Sequence, residues 1–467
     1  MTALKSHAAS VSFTGSDHSI VTITPEKNTG LDAIYVIYDT KGVDITFTGD
    51  NAQPVTWYIY SALGGGYAEE VTTGVTQSGN VSTLSPVVAN YGYIIEQGTD
   101  RTYIWVTNYA DYRLNVNSII LPTTTDCDKM TLTFDGTGEE MAYYTITGQR
   151  RTISRELQLS YLTLELQGLE SATAQDTTTE EGDTDGEGDG EETEPQEETD
   201  PYANVRYEQV EKTVVIDDFK RENSIDAPLC NTSFTLTGDR FLKEWKEDFS
   251  IESDYFTTTA TQCYTTARQL NKKKNSEAGL GGSAPAEIEF VAHITDAVIF
   301  REWQIATDAD FTDLQYRFNS QEVTYTFKEA GTFYARFYGA NDDASCECYG
   351  DTYTITIGNS RLDCPNAFTP KNQDGINDVW RVTSASLVEF ECHIFNRYGI
   401  KMATLTDPSQ GWDGRKGGKF VPDGVYFYVI KARGADGKTY NLKGDINIIN
   451  FKEAPTPTPT DDVISTE

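Results

Sequence analysis

The sequence predicts an all-β chain built from tandem β-sandwich domains, on three observations. It contains 27 Tyr and 21 Phe but only 4 Met, and aromatic side chains suit the half-buried surface of a pleated sheet. Short segments of alternating polar and apolar residues recur along the chain, with Gly, Asn and Asp between them. The length of 467 residues predicts three or four domains, each large enough for a core of its own.

Residues 1–125 are predicted to form the first domain, an immunoglobulin-like sandwich, because alternating segments separated by turn residues follow one another there. The segments are SIVTITP, AIYVIYD, VDITFTG, VTWYIYSA, YGYIIEQ, RTYIWVTN and LNVNSIIL. Trp57 lies in the middle of the fourth, where a core tryptophan between two sheets is expected. The alternative is that Trp57, Trp105 and nearby tyrosines line an exposed groove, which would make this domain a carbohydrate- or host-protein-binding module.

Residues 126–280 are predicted to form a second β domain, interrupted by an acidic insert at 171–201. Residues 176–200 carry thirteen Asp and Glu, no Lys or Arg, and no aromatic or β-branched aliphatic residue. Because nothing in this segment can be buried to offset the entropy of ordering it, we expect it to be disordered. β-patterned segments flank the insert, so it is either an overgrown hairpin loop within one domain or a linker, and the flanking pattern favours the loop.

The charge of the chain excludes two classes of partner. It has 37 Lys and Arg against 72 Asp and Glu, a formal net charge of −35. A general nucleic-acid binder needs clustered basic residues, as does docking on an anionic membrane, so neither is predicted. No run of eighteen apolar residues predicts a membrane-spanning helix. No basic, apolar leader opens the chain, so either it is cytoplasmic or a signal peptide has been removed and Met1 is not native.

The sequence predicts no catalytic residues and no enzyme. No nucleophile elbow or phosphate-binding loop is present, and the histidines have no metal-ligand spacing: His7, His18, His293 and His393. A hydrolase that uses paired acids is the weaker alternative. One loop suggests a cofactor, calcium, held by Asp374, Asn377 and Asp378 around Gly375. The alternative is that these side chains only cap the backbone of an Asx turn.

Residues 281–359 are predicted to form a third domain. Ala284-Pro285 opens a strand, Glu302-Trp303 lies in mid-sheet, and Tyr325-Thr326-Phe327-Lys328-Glu329-Ala330-Gly331-Thr332 leads into the next strand, with Gly331 suited to a tight turn. Residues 284–357 resemble a PKD-like immunoglobulin sandwich. The resemblance implies a spacer or binding module.

Residues 360–453 are predicted to form one more sandwich, of seven or so strands, with Trp412 and Phe395 as core aromatics; a Pro/Thr-rich tail at 454–467 is predicted to be disordered. Six motifs follow in order: Pro365-Asn366-Ala367-Phe368-Thr369-Pro370, Asp374-Gly375-Ile376-Asn377-Asp378, Ile394-Phe395-Asn396-Arg397-Tyr398-Gly399, Trp412-Asp413-Gly414, Asp423-Gly424-Val425-Tyr426-Phe427-Tyr428 and Lys443-Gly444-Asp445-Ile446. With these motifs, residues 364–450 resemble the gliding-motility-associated C-terminal domain, the type B sorting domain of the type IX secretion system. Tyr398 stands where that family usually has Trp.

This resemblance implies a destination and partners. Domains of this family are read by the outer-membrane translocon after export to the periplasm, and the passenger reaches the cell surface or the medium. Type B domains often work with a porin-like outer-membrane partner. We therefore expect a structural or adhesion-type surface protein, whose surface ligand the sequence does not identify. The compartment is oxidising, and with Cys364 and Cys392 on two nearby strands of this domain we expect a disulfide between them.

Overall fold

The computed structural model describes residues 10–169, 202–272 and 279–449. Apart from a few short helical segments, the regular structure of these residues is all β, which confirms the predicted fold class. The chain divides into two compact units, residues 1–167 with 206–260, and residues 168–205 with 261–467. The predicted disorder of the acidic insert and of the tail falls on residues outside the described ranges.

The first unit begins with ten strands in two sheets. The strands are β1 Ser10–Thr14, β2 Val21–Ile23, β3 Ala33–Ile37, β4 Asp44–Thr48, β5 Val55–Tyr60, β6 Glu69–Glu70, β7 Val75–Ser78, β8 Val81–Leu84, β9 Tyr91–Gln97 and β10 Asp100–Asn108. One sheet has the order β1-β4-β8-β7 and the other β2-β3-β10-β9-β5-β6. β10 pairs with β3 in parallel, whereas the other strand pairs of these two sheets are antiparallel.

The tryptophans of this region lie in apolar cores. Trp57 and Trp105 are each 1% exposed, and the Trp57 Nε1–H donates a hydrogen bond of 2.9 Å to the Ser82 hydroxyl. The prediction that Trp57 is a core residue is confirmed. Because neither indole reaches the surface, these two rings cannot form the exposed groove that the sugar-binding alternative requires.

The first unit continues with nine strands and the helix. They are β11 Asn115–Ile120, β12 Lys129–Thr137, β13 Ala142–Tyr144, β14 Arg150–Thr152, β15 Leu157–Gln167, β16 Arg206–Ile216, β17 Glu222–Asp226, β18 Phe234–Thr237, helix α1 Arg240–Trp245 and β19 Ser250–Glu252. Sheets of order β11-β12-β17 and β16-β15-β18-β19 enclose an apolar core, and β13 and β14 form a separate hairpin.

The acidic insert connects two strands that pair with each other. β15 and β16 are antiparallel over eleven residues, from Leu157 opposite Ile216 to Gln167 opposite Arg206. This pairing supports the hairpin-loop alternative over the linker, since a linker would join separate domains.

Helix α1 is the element that the strand pattern did not reveal. Asp239 caps it, and its Oδ1 accepts hydrogen bonds from the backbone amides of Phe241 and Leu242 at 3.1 and 3.0 Å, as N-cap residues do. The buried Trp245 at its end lies edge-on to Tyr109, with ring centroids 5.1 Å apart. The helix therefore packs against the first sandwich.

A fully buried charge pair lies beside this helix. The Arg155 and Asp239 side chains are both 0% exposed, and Arg155 Nη1 donates to Asp239 Oδ2 at 2.9 Å. Arg155 Nη2 donates to the backbone carbonyls of Tyr112 and Glu139, and Nε lies 3.6 Å from Asp218 Oδ1. The Tyr109 hydroxyl also donates to Asp239 Oδ2, at 2.9 Å. Burial raises the pKa of Tyr109, as does the Asp239 carboxylate, so the phenol remains a donor.

The second unit begins with a two-sheet sandwich. Its strands are β20 Cys263–Gln269, β21 Leu280–Gly282, β22 Ala286–Ile294, β23 Phe300–Ala306, β24 Leu314–Phe318, β25 Glu322–Phe327, β26 Gly331–Ala340, β27 Glu347–Tyr349 and β28 Tyr353–Ile357. The smaller sheet has the order β20-β22-β25, and the larger has β21-β28-β26-β23-β24 with β27 paired to β26. Trp303 is buried between them, 5.2 Å from the ring of Phe290 on the smaller sheet.

Nine further strands complete the second unit. They are β29 Arg361–Asp363, β30 Ala367–Phe368, β31 Thr383–Ala385, β32 Leu387–Asn396, β33 Lys401–Leu405, β34 Arg415–Lys416, β35 Lys419–Phe420, β36 Gly424–Gly434 and β37 Thr439–Ile448. Five form one sheet of order β30-β37-β36-β32-β33, and β29-β31 and β34-β35 form two-stranded pairs. Within the described ranges, no helix has the length and apolarity needed to cross a bilayer.

We predict that Asp239→Asn lowers the free energy of unfolding of the first unit by about 3 kcal/mol. It removes the buried partner of the Arg155 guanidinium and leaves as a counter-charge only Asp218, whose Oδ1 lies 3.6 Å from Arg155 Nε. Asparagine keeps an oxygen that caps α1, so the loss reports the contacts of Asp239 Oδ2 with Arg155 and Tyr109 and not the cap. Urea unfolding of the full chain measures it.

The control is Glu96→Gln, which removes an exposed ion pair to Arg101 of 2.9 Å and should cost less than about 1 kcal/mol. Equal losses in the two variants would contradict a structural role for the buried pair.

Candidate functional site

The six motifs of residues 365–446 are brought together by the five-stranded sheet. β32 ends at Asn396, opposite Tyr426 near the start of β36. Gly424 lies opposite Ile448, which pairs with Phe368. The turn after β32, the loop before β36 and the loop after β30 therefore leave the sheet at the same end. We call this end, formed by residues 365–378, 396–400, 412–414 and 422–426, the motif end.

The loop after β30 is held by its own side chains. Asp374 Oδ1 accepts a hydrogen bond from the Ile376 amide and Asp378 Oδ2 one from the Gly375 amide, both at 2.8 Å. The Asn377 carbonyl accepts from the Thr369 amide at 2.8 Å, and Gly375 and Asn377 have φ values of 81° and 55°. The bond between Asp374 and the Ile376 amide is that of an Asx turn. The three residues considered for calcium thus lie in one loop, with one oxygen of each carboxylate already used by a backbone amide.

The tryptophan motif lies at the centre of the core. Trp412 is buried and forms an antiparallel bridge with Trp380, each amide donating to the other's carbonyl at 2.9 Å. The Trp412 ring is 5.6 Å from Phe368 and 5.2 Å from Tyr426. The prediction that Trp412 is a core residue is confirmed. Residues from three separate motifs therefore share one apolar cluster.

Two motif glycines leave room for rings. Gly414 has a φ of 71°, and a Cβ there would lie 2.8 Å from the Pro370 ring. Gly444 lies opposite Tyr428, and a Cβ there would lie 2.5 Å from the Tyr428 hydroxyl. The Tyr428 ring thus crosses strand β37 at Gly444 and reaches Trp380, at a centroid distance of 5.4 Å.

The turn after β32 presents an aromatic ring to solvent. Asn396 Oδ1 accepts hydrogen bonds from the amides of Tyr398 and Ile400 at 3.0 and 2.9 Å, and Gly399 adopts a φ of 76°. Tyr398 is 72% exposed, and the Arg397 guanidinium lies 4.9 Å from its ring centre. The Asn396 side chain therefore fixes the backbone of this turn. The Tyr398 ring does not pack in the core.

The prediction that Phe395 is a core aromatic is wrong. Its neighbour Ile394 is fully buried in the core, and side chains alternate across a strand. Phe395 is therefore on the opposite face, half-buried, where its register partner is the exposed Phe427.

Four further motif residues are held by polar contacts. The Pro365 carbonyl accepts from Trp380 Nε1 at 2.7 Å, and the Asn366 carbonyl accepts from the Asn447 amide at 2.8 Å. Asp413 Oδ1 accepts from the Arg415 amide at 3.0 Å. Asp423 forms an ion pair of 2.5 Å with Lys371.

The expected Cys364–Cys392 disulfide is not formed in the structure, where both are free thiols. Cys364 is half-buried, and burial raises the pKa of its thiol. Cys392 is buried, and burial, with a smaller effect of the nearby Cys364, raises its pKa to about 12. The two thiols are neighbours, as expected, but do not pair.

Sequence reasoning missed two residues of this region. Trp380 is fully buried in the apolar cluster of Trp412 but belongs to none of the six motifs. Its position two residues after Asp378 could have indicated a core aromatic residue. Lys371 was missed because its partner Asp423 is 52 residues away.

Solved structures similar to this chain share little of its sequence. A tetra-tandem repeat from the extending region of a large adhesion protein is 10% identical over 89% of this chain and 97% of that one, with a TM-score of 0.21. Immunoglobulin domains 1–5 of Sidekick-1 are 12% identical over 87% and 76%, with a TM-score of 0.25. Dimeric latent PorU from Porphyromonas gingivalis is 9% identical over 75% and 35%, with a TM-score of 0.16. TM-scores this low support no functional conclusion.

Two sequence families match defined parts of the chain, whereas no curated protein matches it. A fibronectin type III domain family matches residues 120–189 and 194–253. The type IX secretion signal domain family CHU_C matches residues 362–448, the range that contains every motif of the motif end. Residues 362–448 are therefore a CHU_C type IX secretion signal domain, preceded by a fibronectin type III/immunoglobulin-like region.

Proposed function

We propose that this chain is a structural or adhesion-type protein of the cell surface or medium, exported by the type IX secretion system with residues 362–448 as its sorting signal. The match to the secretion-signal family carries this proposal. The sandwich modules before the signal support a structural role, since domains of this kind serve as spacers and binding modules.

The surface that the outer-membrane translocon reads is, in this proposal, the motif end. Its motif residues fall into two groups. Phe368, Trp412 and Tyr426 are buried and hold the core. Ile376 and Tyr398 are 67% and 72% exposed and contribute little to packing. Exposed apolar side chains on rigid turns are suited to recognition by a partner.

We further propose a second partner for the signal domain and consider two alternative functions. A porin-like outer-membrane protein is the second partner, as for other type B signals. The alternative role, a carbohydrate- or host-protein-binding module at residues 1–125, would need a surface other than Trp57 and Trp105, because both are buried. A secreted hydrolase is the weaker alternative.

Deletion of residues 360–467 is expected to abolish surface delivery, because it removes the whole signal domain. Cell fractionation and protease accessibility of intact cells measure the outcome. Surface exposure of the truncated chain at the level of the full chain would contradict the sorting assignment.

The double variant Ile376→Ser, Tyr398→Ser is expected to reduce export several-fold while the melting temperature stays within about 2 °C, since exposed substitutions change stability little. Tyr255→Ser, which changes a 69% exposed ring elsewhere, is the matched control. Trp412→Ala, in contrast, should cost about 3–5 kcal/mol by opening a cavity. Normal export of the double variant would exclude the motif end as the recognition surface.

We propose that the Asp374 loop needs no calcium, because its turn amides already bind both carboxylates. A chelator should therefore leave the melting temperature of the full chain unchanged. A drop on chelation that calcium reverses, and that Asp374→Asn abolishes, would establish the calcium alternative instead.

A further inference from the structure

Two cysteines of the sandwich formed by β20–β28 lie on different sheets. Cys263 is the first residue of β20, in the smaller sheet, and Cys348 is the middle residue of β27, in the larger sheet. Both are free thiols. Cys346 is disulfide-bonded, so Cys348 is the free thiol of the Cys346-Glu347-Cys348 segment.

The strand registers place both side chains on the inner faces. Cys263 lies opposite Ile294, which shares a strand face with the fully buried Ala292. Cys348 lies opposite Gly339, which shares a face with the fully buried Phe337. Each thiol is therefore directed from its own sheet towards the other.

Gly339 provides the space for the Cys348 sulfur. A Cβ at position 339 would lie 2.9 Å from Cys348 Sγ, closer than real contacts allow, so any larger residue would displace the thiol. The Cys348 sulfur thus packs against the Gly339 backbone, where no side chain occupies the space.

The segment after Cys348 runs along the strand that starts at Cys263. The Thr265 hydroxyl accepts hydrogen bonds from the Asp351 amide at 3.0 Å and from the Tyr353 hydroxyl at 3.1 Å. Gly350 lies directly against Thr265, since a Cβ there would be 2.3 Å from the Thr265 methyl group. These contacts fix the spacing of the two sheets next to the thiols, and the two thiols are close enough for Cys348 to raise the pKa of Cys263.

We propose that Cys263 and Cys348 are an oxidation site, and that they form a disulfide bond joining the two sheets of this sandwich. The strand registers direct the two side chains towards each other, as a disulfide bond requires. Formation of the bond in the cell rests on the proposed export, because a cytoplasm keeps thiols reduced. The pairing of these two cysteines follows from the fold and does not depend on the proposed export.

The reaction is thiol–disulfide exchange with an external disulfide, a periplasmic dithiol oxidoreductase in the cell or oxidised glutathione in vitro. One cysteine thiolate attacks that disulfide, and a mixed disulfide forms as the first external thiolate leaves. The second cysteine thiolate then attacks the protein sulfur, and the second external thiolate leaves. Two protein thiols lose two protons and two electrons, and the external disulfide gains them. The contact with Cys348, followed by burial, raises the pKa of Cys263, so oxidation without a catalyst is expected to be slow and faster above neutral pH.

Peptide mapping of the purified full chain tests the pairing. The chain is incubated with oxidised glutathione at about pH 8.5, where more thiolate is present, alkylated, and digested with trypsin and with a protease that cleaves after Glu. Cleavage at Glu347 separates Cys346 from Cys348. We expect a peptide pair linked through Cys263 and Cys348 that reduction releases. Alkylation of both cysteines, or linkage of either one to another cysteine, would overturn the proposal.

The variants Cys263→Ser and Cys348→Ser should each leave the other cysteine open to alkylation, while Cys230→Ser, at a buried free cysteine of the first unit, should keep the linked pair. Should a variant fail to fold, the mapping of the unsubstituted chain still decides. The purified protein needs no secretion machinery, so loss of surface delivery after deletion of residues 360–467 and absence of the bond are separate outcomes.

Discussion

The sandwiches formed by the described residues depend on one constraint, that alternate side chains of their strands must be covered by apolar groups of a facing layer. A β-sheet with one uncovered apolar face is not stable in water, so packing of a second layer fixes which residues are inside. The buried tryptophans show where this occurs: Trp57 and Trp105 in the first sandwich, Trp303 between β22 and β26, and Trp380 with Trp412 in the last region. This constraint explains why polar and apolar residues alternate along the strand segments of the sequence.

The constraint also explains the composition of the secretion-signal domain. Most of its motif residues serve the fold, since Phe368, Trp412 and Tyr426 fill one cluster and Gly414 and Gly444 leave space for neighbouring rings. Two motif residues, Ile376 and Tyr398, are exposed and do not serve the fold in this way. Ile376 and Tyr398 lie on turns capped by Asp374 and Asn396, so their positions are fixed although they are not packed. A rigid end of a sheet with exposed apolar tips is a surface that a partner can read.

Local patterns predicted much of this and missed what depends on distant contacts. The alternating segments named for residues 1–125 each contain a strand, because alternation is a property of neighbours in sequence. The parallel pairing of β3 with β10, the face on which Phe395 lies, and the short polar strands β7 and β8 depend on partners elsewhere. Helix α1 has a local signal, the capping residue Asp239, but its six residues are stabilised by packing on Tyr109 and by Arg155, which are distant in sequence. The convergence of the motifs at one end of a sheet follows only from strand register.

The central proposal is that residues 362–448 act as a sorting signal that directs the folded chain to the cell surface. The most direct measurement fuses residues 360–467 to a periplasmic reporter domain with its own leader, in a bacterium that has a type IX system. Protease digestion of intact cells then reports the location of the reporter. The account predicts a reporter that is cleaved in the wild-type strain and protected in a strain without the translocon. A reporter that stays protected in both strains, although the fusion is folded and present in the periplasm, would contradict it.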